Sequence, residues 1–498
     1  MDLQFPTLFI ICPLVTSFLI FLSGWWYRQS AFPLAVAALA VCLAIAAGLL
    51  KVVLGQGPLA YWLGGWQPPY GIEYRIDHLN AIMLVLVALL GLLAAIHARR
   101  SILQELPEKE AFFWGLYILM VTGLLGICIT GDLFNLFVML EVASLAGYAL
   151  IAIGSRGALF ASFRYLIMGT LGACFYLLGA GHLYLATGSL NMADLAGILP
   201  QVYHSRAVLA GFTFIMIGLG IKMALFPLHA WLPDAYSRAP AAVSAAVAPL
   251  MTKVMAYAAI RIMFTVFKPE FAISLLQISG PLVWLGSAAI IFGAVMALSQ
   301  SDFRRMLSYV LIAEMGYIVG GIGVASAIAL QGVIFHILND ALMVASLFMV
   351  AGQVRHQTGG NGINDFRGFF RTMPMTAFTF TVGALAVIGV PPACGFFSKW
   401  YLLLGGIQAN HWVFVAALLI CTLINVALFF RIFDKGLYSR SPGNHLKDNT
   451  AVPKQDSGKV PLSMLIPASV LAVLILLVGV FNQVIMDTVI RFAVPPGL

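Results

Sequence analysis

Three lysines and two glutamates lie inside long apolar stretches of this 498-residue sequence. The lysines are Lys222, Lys253 and Lys399, and the glutamates Glu141 and Glu314 are enclosed in the same way. A charge near the middle of a bilayer costs roughly 2.5–3.5 kcal/mol even on lenient insertion scales, so each group needs a partner, water or a purpose. A chain with five such groups is most simply interpreted as a conduit for protons or small cations.

Glu141 and Lys222 are predicted to work as a pair. Burial in hydrocarbon favours the neutral form of each group, whereas contact between them stabilises both charges. A lysine with a separable acidic partner is therefore a switch, because pairing holds its proton and separation releases it. The alternative is a static ion pair that fixes helix packing, although buried pairs are weak devices for stability.

Lys253 lies in an alanine-rich run and has no acidic residue in its own apolar segment. Burial without a partner favours the neutral amine, so we expect Lys253 to relay protons. Arg261 lies two turns further on, nearer the end of the segment, and we expect its side chain to reach the membrane interface.

A histidine and an aspartate add to this set. His336 and Asp340 are four residues apart, so on a helix they share one face. An imidazole titrates near neutral pH, so His336 is predicted to pass protons towards Lys399 in the next segment. His229, Glu314 and Asp340 are further candidate relay groups. The alternative for each histidine is a hydrogen-bonded structural role.

The composition requires these groups to be held by membrane-spanning helices. Hydrophobic residues make up 61% of the sequence and charged residues only 9%. The apolar runs are too long for barrel strands, so we predict an all-α polytopic membrane protein. We count about fourteen transmembrane helices, at roughly 5–25, 32–54, 76–98, 111–130, 132–154, 160–187, 207–226, 240–267, 273–298, 304–323, 326–353, 374–404, 410–433 and 461–490.

Proline interrupts two of these spans. Pro227 follows the apolar run of span seven, and Pro391 and Pro392 interrupt span twelve, so both helices are predicted to break. Each broken span carries a lysine and lies two spans after a buried glutamate. This pattern predicts two five-helix repeats, spans 4–8 and 9–13, which are inverted because five is odd.

The predicted organisation therefore has four parts. They are an N-terminal three-helix segment (1–110), a first half-channel (111–267), a second, inverted half-channel (273–433), and a cytoplasmic loop with the last helix (434–498). Most loop arginines and lysines fall on one side, which predicts that both termini lie outside. The first apolar run lacks the basic start of a cleaved signal and is interpreted as a span. The polar stretch Asp434–Lys459 is predicted to be a flexible cytoplasmic connector.

The sequence predicts neither a cofactor nor a nucleic-acid partner. The net charge of +8 comes from the loops rather than from a basic patch. The six cysteines are scattered singly, with no CxxC pair and no Cys/His cluster, so iron–sulfur and structural zinc sites are not expected. They are Cys12, Cys42, Cys128, Cys174, Cys394 and Cys421.

Four ordered motifs give the chain a specific resemblance. The segments KMALFPLHAWLPDAYSRAPAAVSA, LMTKVMAY, FHILNDAL and GVPPACGFFSKWYL resemble landmarks of the antiporter-like subunits shared by respiratory complex I, Mrp-type Na⁺/H⁺ antiporters and energy-converting membrane hydrogenases. The resemblance covers spans three to thirteen. It implies a proton relay through Glu141, Lys222, Lys253, His336 and Lys399, inside a complex with other membrane subunits.

Within this family the chain resembles most the D-type component of Mrp antiporters or its hydrogenase counterpart, because Lys399 and the end after span fourteen fit that branch. Two departures concern the second half: Asp340 and Val344 replace a histidine and a lysine of many relatives, and Glu314 stands where histidine or glutamine is frequent. The expected function is that of one subunit of a Na⁺(cation)/H⁺ antiporter in a cell membrane. The alternatives are an antiporter-like pump subunit of a redox-driven complex, a redox subunit with its own quinone or metal site, and a structural scaffold.

Overall fold

A computed structural model describes residues 5–106, 108–154, 157–438 and 460–495. Within these residues, twelve helices are long and apolar enough to cross a membrane. Two further segments are helices interrupted near the positions where the prolines predict breaks. The all-α polytopic fold is therefore confirmed, while most of the predicted connector Asp434–Lys459 lies outside the described residues.

The described residues up to Val266 form ten α-helices and one small antiparallel sheet. The helices are α1 (Phe5–Trp26), α2 (Ala31–Gln56), α3 (His78–Glu105), α4 (Glu110–Ile129), α5 (Leu133–Ala152), α6 (Ala158–Thr187), α7 (Met192–Val202), α8 (Arg206–Lys222), α9 (Leu232–Arg238) and α10 (Ala241–Ile260). A π-helical turn, Arg261–Val266, extends α10. The strands β1 (Leu59–Trp62) and β2 (Glu73–Ile76) pair with Leu59 opposite Ile76.

The second part of the described chain is helical. Its helices are α11 (Ser279–Leu298), α12 (Phe303–Val324), α13 (Ala327–Thr358), α14 (Phe369–Thr372), α15 (Pro374–Ile388), α16 (Cys394–Gln408), α17 (Trp412–Tyr438), α18 (Leu462–Val480), α19 (Asn482–Ile485) and α20 (Arg491–Ala493). The remaining short turns are the 3₁₀ segments Arg28–Ser30, Leu63–Gly65 and Ile363–Phe366 and the π segments Glu270–Leu275 and Met486–Ile490.

Polar side chains begin several membrane helices. Asp77 accepts hydrogen bonds from the backbone N–H groups of Leu79 and Asn80 at the start of α3. Asp132 and Asp302 accept in the same way at the starts of α5 and α12. Such caps satisfy N–H groups that have no partner within the helix, which fixes where each helix begins.

The centre of the bundle consists of α10, α12 and α13. Their apolar windows are almost entirely buried, whereas only about a third of the window residues of α1 and α2 are buried. Polar and charged groups on these three helices are therefore held away from lipid. Lys253, Glu314, His336 and Asp340 all lie on them.

The first broken helix stops at its lysine. Helix α8 ends at Lys222, five residues before Pro227, so the break starts earlier than the proline alone predicts. Ala224 adopts a left-handed backbone (φ 57°), and the Trp231 indole N–H donates to the Ile221 carbonyl at 3.1 Å. The indole is a second donor to this carbonyl, which also accepts from the Ala224 backbone N–H at 3.2 Å.

The second break separates α15 from α16. Helix α15 ends at Ile388, Gly389 takes a left-handed backbone (φ 93°), and α16 begins at Cys394. The Asn339 side-chain amide donates to the Cys394 carbonyl at 2.9 Å, which ties the start of α16 to α13. Both predicted breaks are confirmed. The inverted relation of the two five-helix units stays a prediction.

Candidate functional site

The first pair, Glu141 and Lys222, is in direct contact. Lys222 Nζ donates to Glu141 Oε1 at 3.0 Å, to Ser144 Oγ at 2.8 Å and to the Tyr148 hydroxyl at 3.3 Å. Glu141, Ser144 and Tyr148 share one face of α5, because helical residues three and four apart are neighbours. A lysine at the end of α8 is therefore held by three oxygen atoms of α5.

The first pair is linked to the break in its own helix. The Tyr148 ring packs edge-on against Tyr165, with ring centroids 4.5 Å apart. Tyr165 stacks on Trp231 at 4.0 Å, and Trp231 holds the Ile221 carbonyl next to Lys222. The position of the ammonium is therefore set by the same aromatic stack that stabilises the broken segment.

The central pair consists of Lys253 and Asp340. Lys253 Nζ lies 2.8 Å from Asp340 Oδ2, and both side chains are fully buried. Lys253 lies on α10 and Asp340 on α13, so this contact joins the two predicted half-channels. The expectation that Lys253 is unpartnered in its own segment holds, but its acidic partner comes from a helix far along the chain.

The second cluster consists of Glu314, His336 and Lys399. Glu314 uses both carboxylate oxygens, with Oε2 at 2.9 Å from His336 Nε2 and Oε1 at 3.4 Å from Lys399 Nζ. The other ring nitrogen of His336, Nδ1, lies 3.0 Å from Ser398 Oγ. His336 thus lies between Glu314 and Ser398 and contacts both. Asp340, its neighbour on α13, contacts Lys253 rather than His336.

Lys399 also uses the second break. Its ammonium donates to the Val387 carbonyl in the last turn of α15 and lies 4.8 Å above the Tyr317 ring. The carboxyl end of a helix carries a partial negative charge, which favours a cation there. The break between α15 and α16 therefore supplies part of the environment that holds Lys399.

His229 and Arg261 have surroundings that the sequence did not predict, and the candidate relay role of His229 stays a prediction. His229 is buried between the rings of Phe226 and Phe292 and forms no ion pair among the described residues. Arg261 is buried and binds Asp77 through two guanidinium nitrogens. The sequence did not point to this partner, the acid that begins α3, and the reach of Arg261 towards the membrane interface stays a prediction.

The Arg261–Asp77 contact is separate from the three lysine–carboxylate contacts. Burial alone would raise the pKa of Asp77, but the positive charge of Arg261 and its hydrogen bonds outweigh burial and lower that pKa below its ordinary value. The Tyr257 hydroxyl accepts from the same guanidinium at 3.2 Å. Because arginine keeps its charge at all relevant pH values, this pair holds α3 against α10 and does not exchange protons.

Taken together, the site is a neutral set of alternating charges. Each of three lysines contacts a different carboxylate, and these carboxylates come from α5, α13 and α12. Sequence analysis anticipated the residues but not the contact between Lys253 and Asp340, or that Glu314 bridges two bases. The signal available for the central pair was the presence of one uncompensated lysine and one uncompensated aspartate, each within an apolar span.

Broken membrane helices around buried lysine–carboxylate pairs define an ion-translocating type of membrane protein. Residues 130–425, more than half of the chain, match the family model described as NADH:quinone oxidoreductase/Mrp antiporter, TM. The chain belongs to this family of antiporter-like membrane subunits.

Individual relatives come from both branches of the family. The chain is 45% identical to the N-type component of the NADH-quinone oxidoreductase of Desulforudis audaxviator, over 99% of each chain. It is 32% identical to the D-type component of the Na⁺/H⁺ antiporter of Alkalihalophilus pseudofirmus, over 80% of each chain. Among solved structures, a chain of the Mrp complex from Dietzia sp. DQ12-45-1b matches with a TM-score of 0.88 and 26% identity, covering 99% of this chain and 97% of that one.

Proposed function

We propose that this chain translocates protons along the line formed by Lys222, Lys253, His336 and Lys399. The observation that carries the proposal is the contact of three buried lysines with three separate carboxylates. Buried ion pairs are poor stabilising devices, so a stability role does not explain a series of them. Lysine, histidine and carboxylate groups all exchange protons, which a line of arginine pairs would not do.

In the proposed route, protons enter from the cytoplasm near the break after α8. They are stored on Lys222 under the control of Glu141 and pass through Lys253 and His336 to Lys399. They leave on the outer side. A membrane potential is worth about 2.3 kcal/mol per elementary charge per 100 mV, so modest changes at each pair suffice to move the proton onward.

The proposal includes the setting of the chain in its membrane. We place it in the cell membrane of a bacterium or archaeon, with both termini outside and the two half-channels inverted. Loop charges support this orientation, because positive residues collect on the cytoplasmic side.

The chain is proposed to work with other membrane subunits. Glu141 exposes 23% of its side chain in the isolated chain, whereas Glu314 is fully buried. A carboxylate in the middle of a span is too costly to leave in lipid. A neighbouring subunit that covers the outer face of α5 would remove this exposure.

Two parent complexes are candidates. An Mrp-type antiporter, which would exchange H⁺ for Na⁺ or another monovalent cation, is supported by the likeness to the D-type antiporter component and the Mrp complex. A redox-driven pump is supported by the 45% identity to a quinone oxidoreductase component over the whole chain. The relay within this chain would be the same in both.

The test uses everted vesicles from cells that express the whole operon. We expect Lys222→Ala and Glu141→Ala to abolish proton movement while the complex still assembles. Lys51→Ala, an exposed lysine at the end of α2, is the matched control and should transport normally. Normal transport by Lys222→Ala would contradict the proposed relay.

The same vesicles separate the two parent complexes. A pH gradient that collapses on addition of Na⁺, K⁺ or Li⁺ without an electron donor, and only with Lys222 present, indicates the antiporter. Pumping that depends on Lys222 and appears only with a donor indicates the redox-driven complex.

A further inference from the structure

The central pair has a contact pattern unlike that of the other buried lysines. Lys222 has three oxygen partners, and Lys399 has a carboxylate and a backbone carbonyl. Apart from Asp340, Lys253 Nζ has no hydrogen-bond partner in the described part of the protein, and neither oxygen of Asp340 has one apart from Lys253. Each group of the central pair therefore depends on the other alone.

Because no other described protein group bonds to Lys253 or Asp340, few interactions stabilise the charged forms of the two side chains. A buried ion pair is favourable when further hydrogen bonds satisfy its remaining lone pairs and protons, and here the protein provides none. The Arg261–Asp77 pair shows the opposite design, with a bidentate contact and a tyrosine hydroxyl. A proton that moves from ammonium to carboxylate leaves two neutral groups, so no net charge is created in the low-dielectric interior.

We propose that the Lys253–Asp340 pair is the valve between the two half-channels, an inference that rests on the proposed proton relay. In the charged state Lys253 is already protonated and accepts nothing from the first pair. When the valve operates, an N–H bond of Lys253 breaks and an O–H bond forms on Asp340. Lys253 becomes a neutral amine that can accept the next proton, and the transferred proton lies on α13.

The next acceptor is on the same helix face. His336 precedes Asp340 by one helical turn, and its ring lies 2.9 Å from the Glu314 carboxylate. In this second step the O–H bond of Asp340 breaks and an N–H bond forms on His336. The resulting imidazolium is compensated by Glu314, and Asp340 is again a carboxylate. The charges of the buried set sum to zero before and after each step.

If the pair is a valve, Asp340 must accept a proton from Lys253, which a residue with only a packing role would not do. Asp340→Asn keeps the size of the side chain but removes the proton acceptor, and we expect the initial rate of proton translocation to fall at least tenfold. Asp340→Glu keeps a carboxyl group and should retain clearly more transport than Asp340→Asn. Ser346→Ala is the matched control, because Ser346 is buried on the same helix and its hydroxyl donates to the Met343 carbonyl, away from the buried charges.

A double variant covers the case in which Asp340→Asn fails to assemble. Lys253→Met combined with Asp340→Leu removes both charges, and replacement of a buried pair by apolar residues is often neutral for stability. We expect this variant to assemble in wild-type amounts and to move no protons. Assembly together with near-normal transport would overturn the valve, as would Asp340→Asn with a rate within twofold of the wild type.

Parallel vesicles with Lys222→Ala distinguish the two proposals. If Lys222→Ala is silent while Asp340→Asn transports normally, the valve fails and the relay stands. If Lys222→Ala itself transports normally, the relay fails and the valve fails with it.

Discussion

The first pair and the second cluster each hold a buried lysine next to a glutamate, but the other contacting groups differ. In the first pair, the Lys222 ammonium donates to the partly exposed Glu141 and to two hydroxyl groups. In the second cluster, a fully buried Glu314 is the carboxylate for both His336 and Lys399. Without its acid, Lys222 would keep two hydroxyl partners, whereas Lys399 would keep the Val387 carbonyl and the Tyr317 ring. The difference is that loss of Glu314 removes the carboxylate partner of two bases at once.

This difference indicates how each half responds to protons. Glu141 can separate from Lys222 without leaving the ammonium unsolvated, because Ser144 and Tyr148 remain close. Glu314 serves two bases at once, because one of its carboxylate oxygens contacts His336 and the other contacts Lys399. We infer that the first pair opens and closes, while the second cluster redistributes protons around a fixed carboxylate.

The largest expected difference is between Glu314→Gln and Glu141→Gln. Loss of one partner from a buried pair costs about 3–5 kcal/mol, and Glu314→Gln should lose stability in this range because it removes the charged partner of both His336 and Lys399. Glu141→Gln should cost only about 1–2 kcal/mol, because Lys222 keeps its hydroxyl partners and glutamine can still accept a hydrogen bond. Thermal unfolding of the purified complexes in detergent measures both.

Transport should be lost in both glutamine variants, so stability is the informative readout. Equal decreases in melting temperature would contradict the proposed difference between the first pair and the second cluster. A larger decrease in melting temperature for Glu141→Gln than for Glu314→Gln would mean that the first pair, not the second cluster, depends more on its carboxylate.

Local patterns in the sequence predicted much of this arrangement. Apolar runs placed the membrane helices, and the prolines placed both breaks, because each signal acts within a few residues. The Glu141–Lys222 contact was also anticipated, since two buried opposite charges favour each other strongly. The start of the first break was misplaced because Lys222, rather than Pro227, ends α8.

Contacts between distant helices were not predictable in the same way. Asp340 could have paired with His336, its neighbour on α13, and only the packing of α10 against α13 brings it to Lys253. Arg261 similarly finds Asp77, which precedes α3 and lies far away along the chain. A single sequence predicts which charged residues are buried. Which of them contact one another depends on how the helices pack.

A medium effect is expected from two serines that support the two halves. Ser144→Ala removes a 2.8 Å hydrogen bond to the Lys222 ammonium, and hydrogen bonds to charged groups are worth about 1.5–3 kcal/mol. The transport rate should therefore fall by about tenfold or more. Ser398→Ala removes the 3.0 Å partner of His336 Nδ1, a bond worth about 1 kcal/mol if the imidazole is neutral, which predicts about a fivefold decrease. Initial rates in everted vesicles, normalised to the amount of assembled complex, test the order.

The smallest effects are expected at two tyrosines that contact the lysines differently. The Tyr148 hydroxyl accepts from Lys222 at 3.3 Å, so Tyr148→Phe should reduce transport about two- to threefold, as a long hydrogen bond is worth about 0.5 kcal/mol. Tyr317 offers its ring face to Lys399 at 4.8 Å, and its hydroxyl has no hydrogen-bond partner among the described residues. Tyr317→Phe keeps that face and should transport normally. Tyr317→Leu removes the cation–π contact and should therefore reduce transport. A loss in Tyr317→Phe as large as that in Tyr148→Phe would mean that both lysines need the hydroxyl, and the contrast between the two halves would then be confined to their carboxylates.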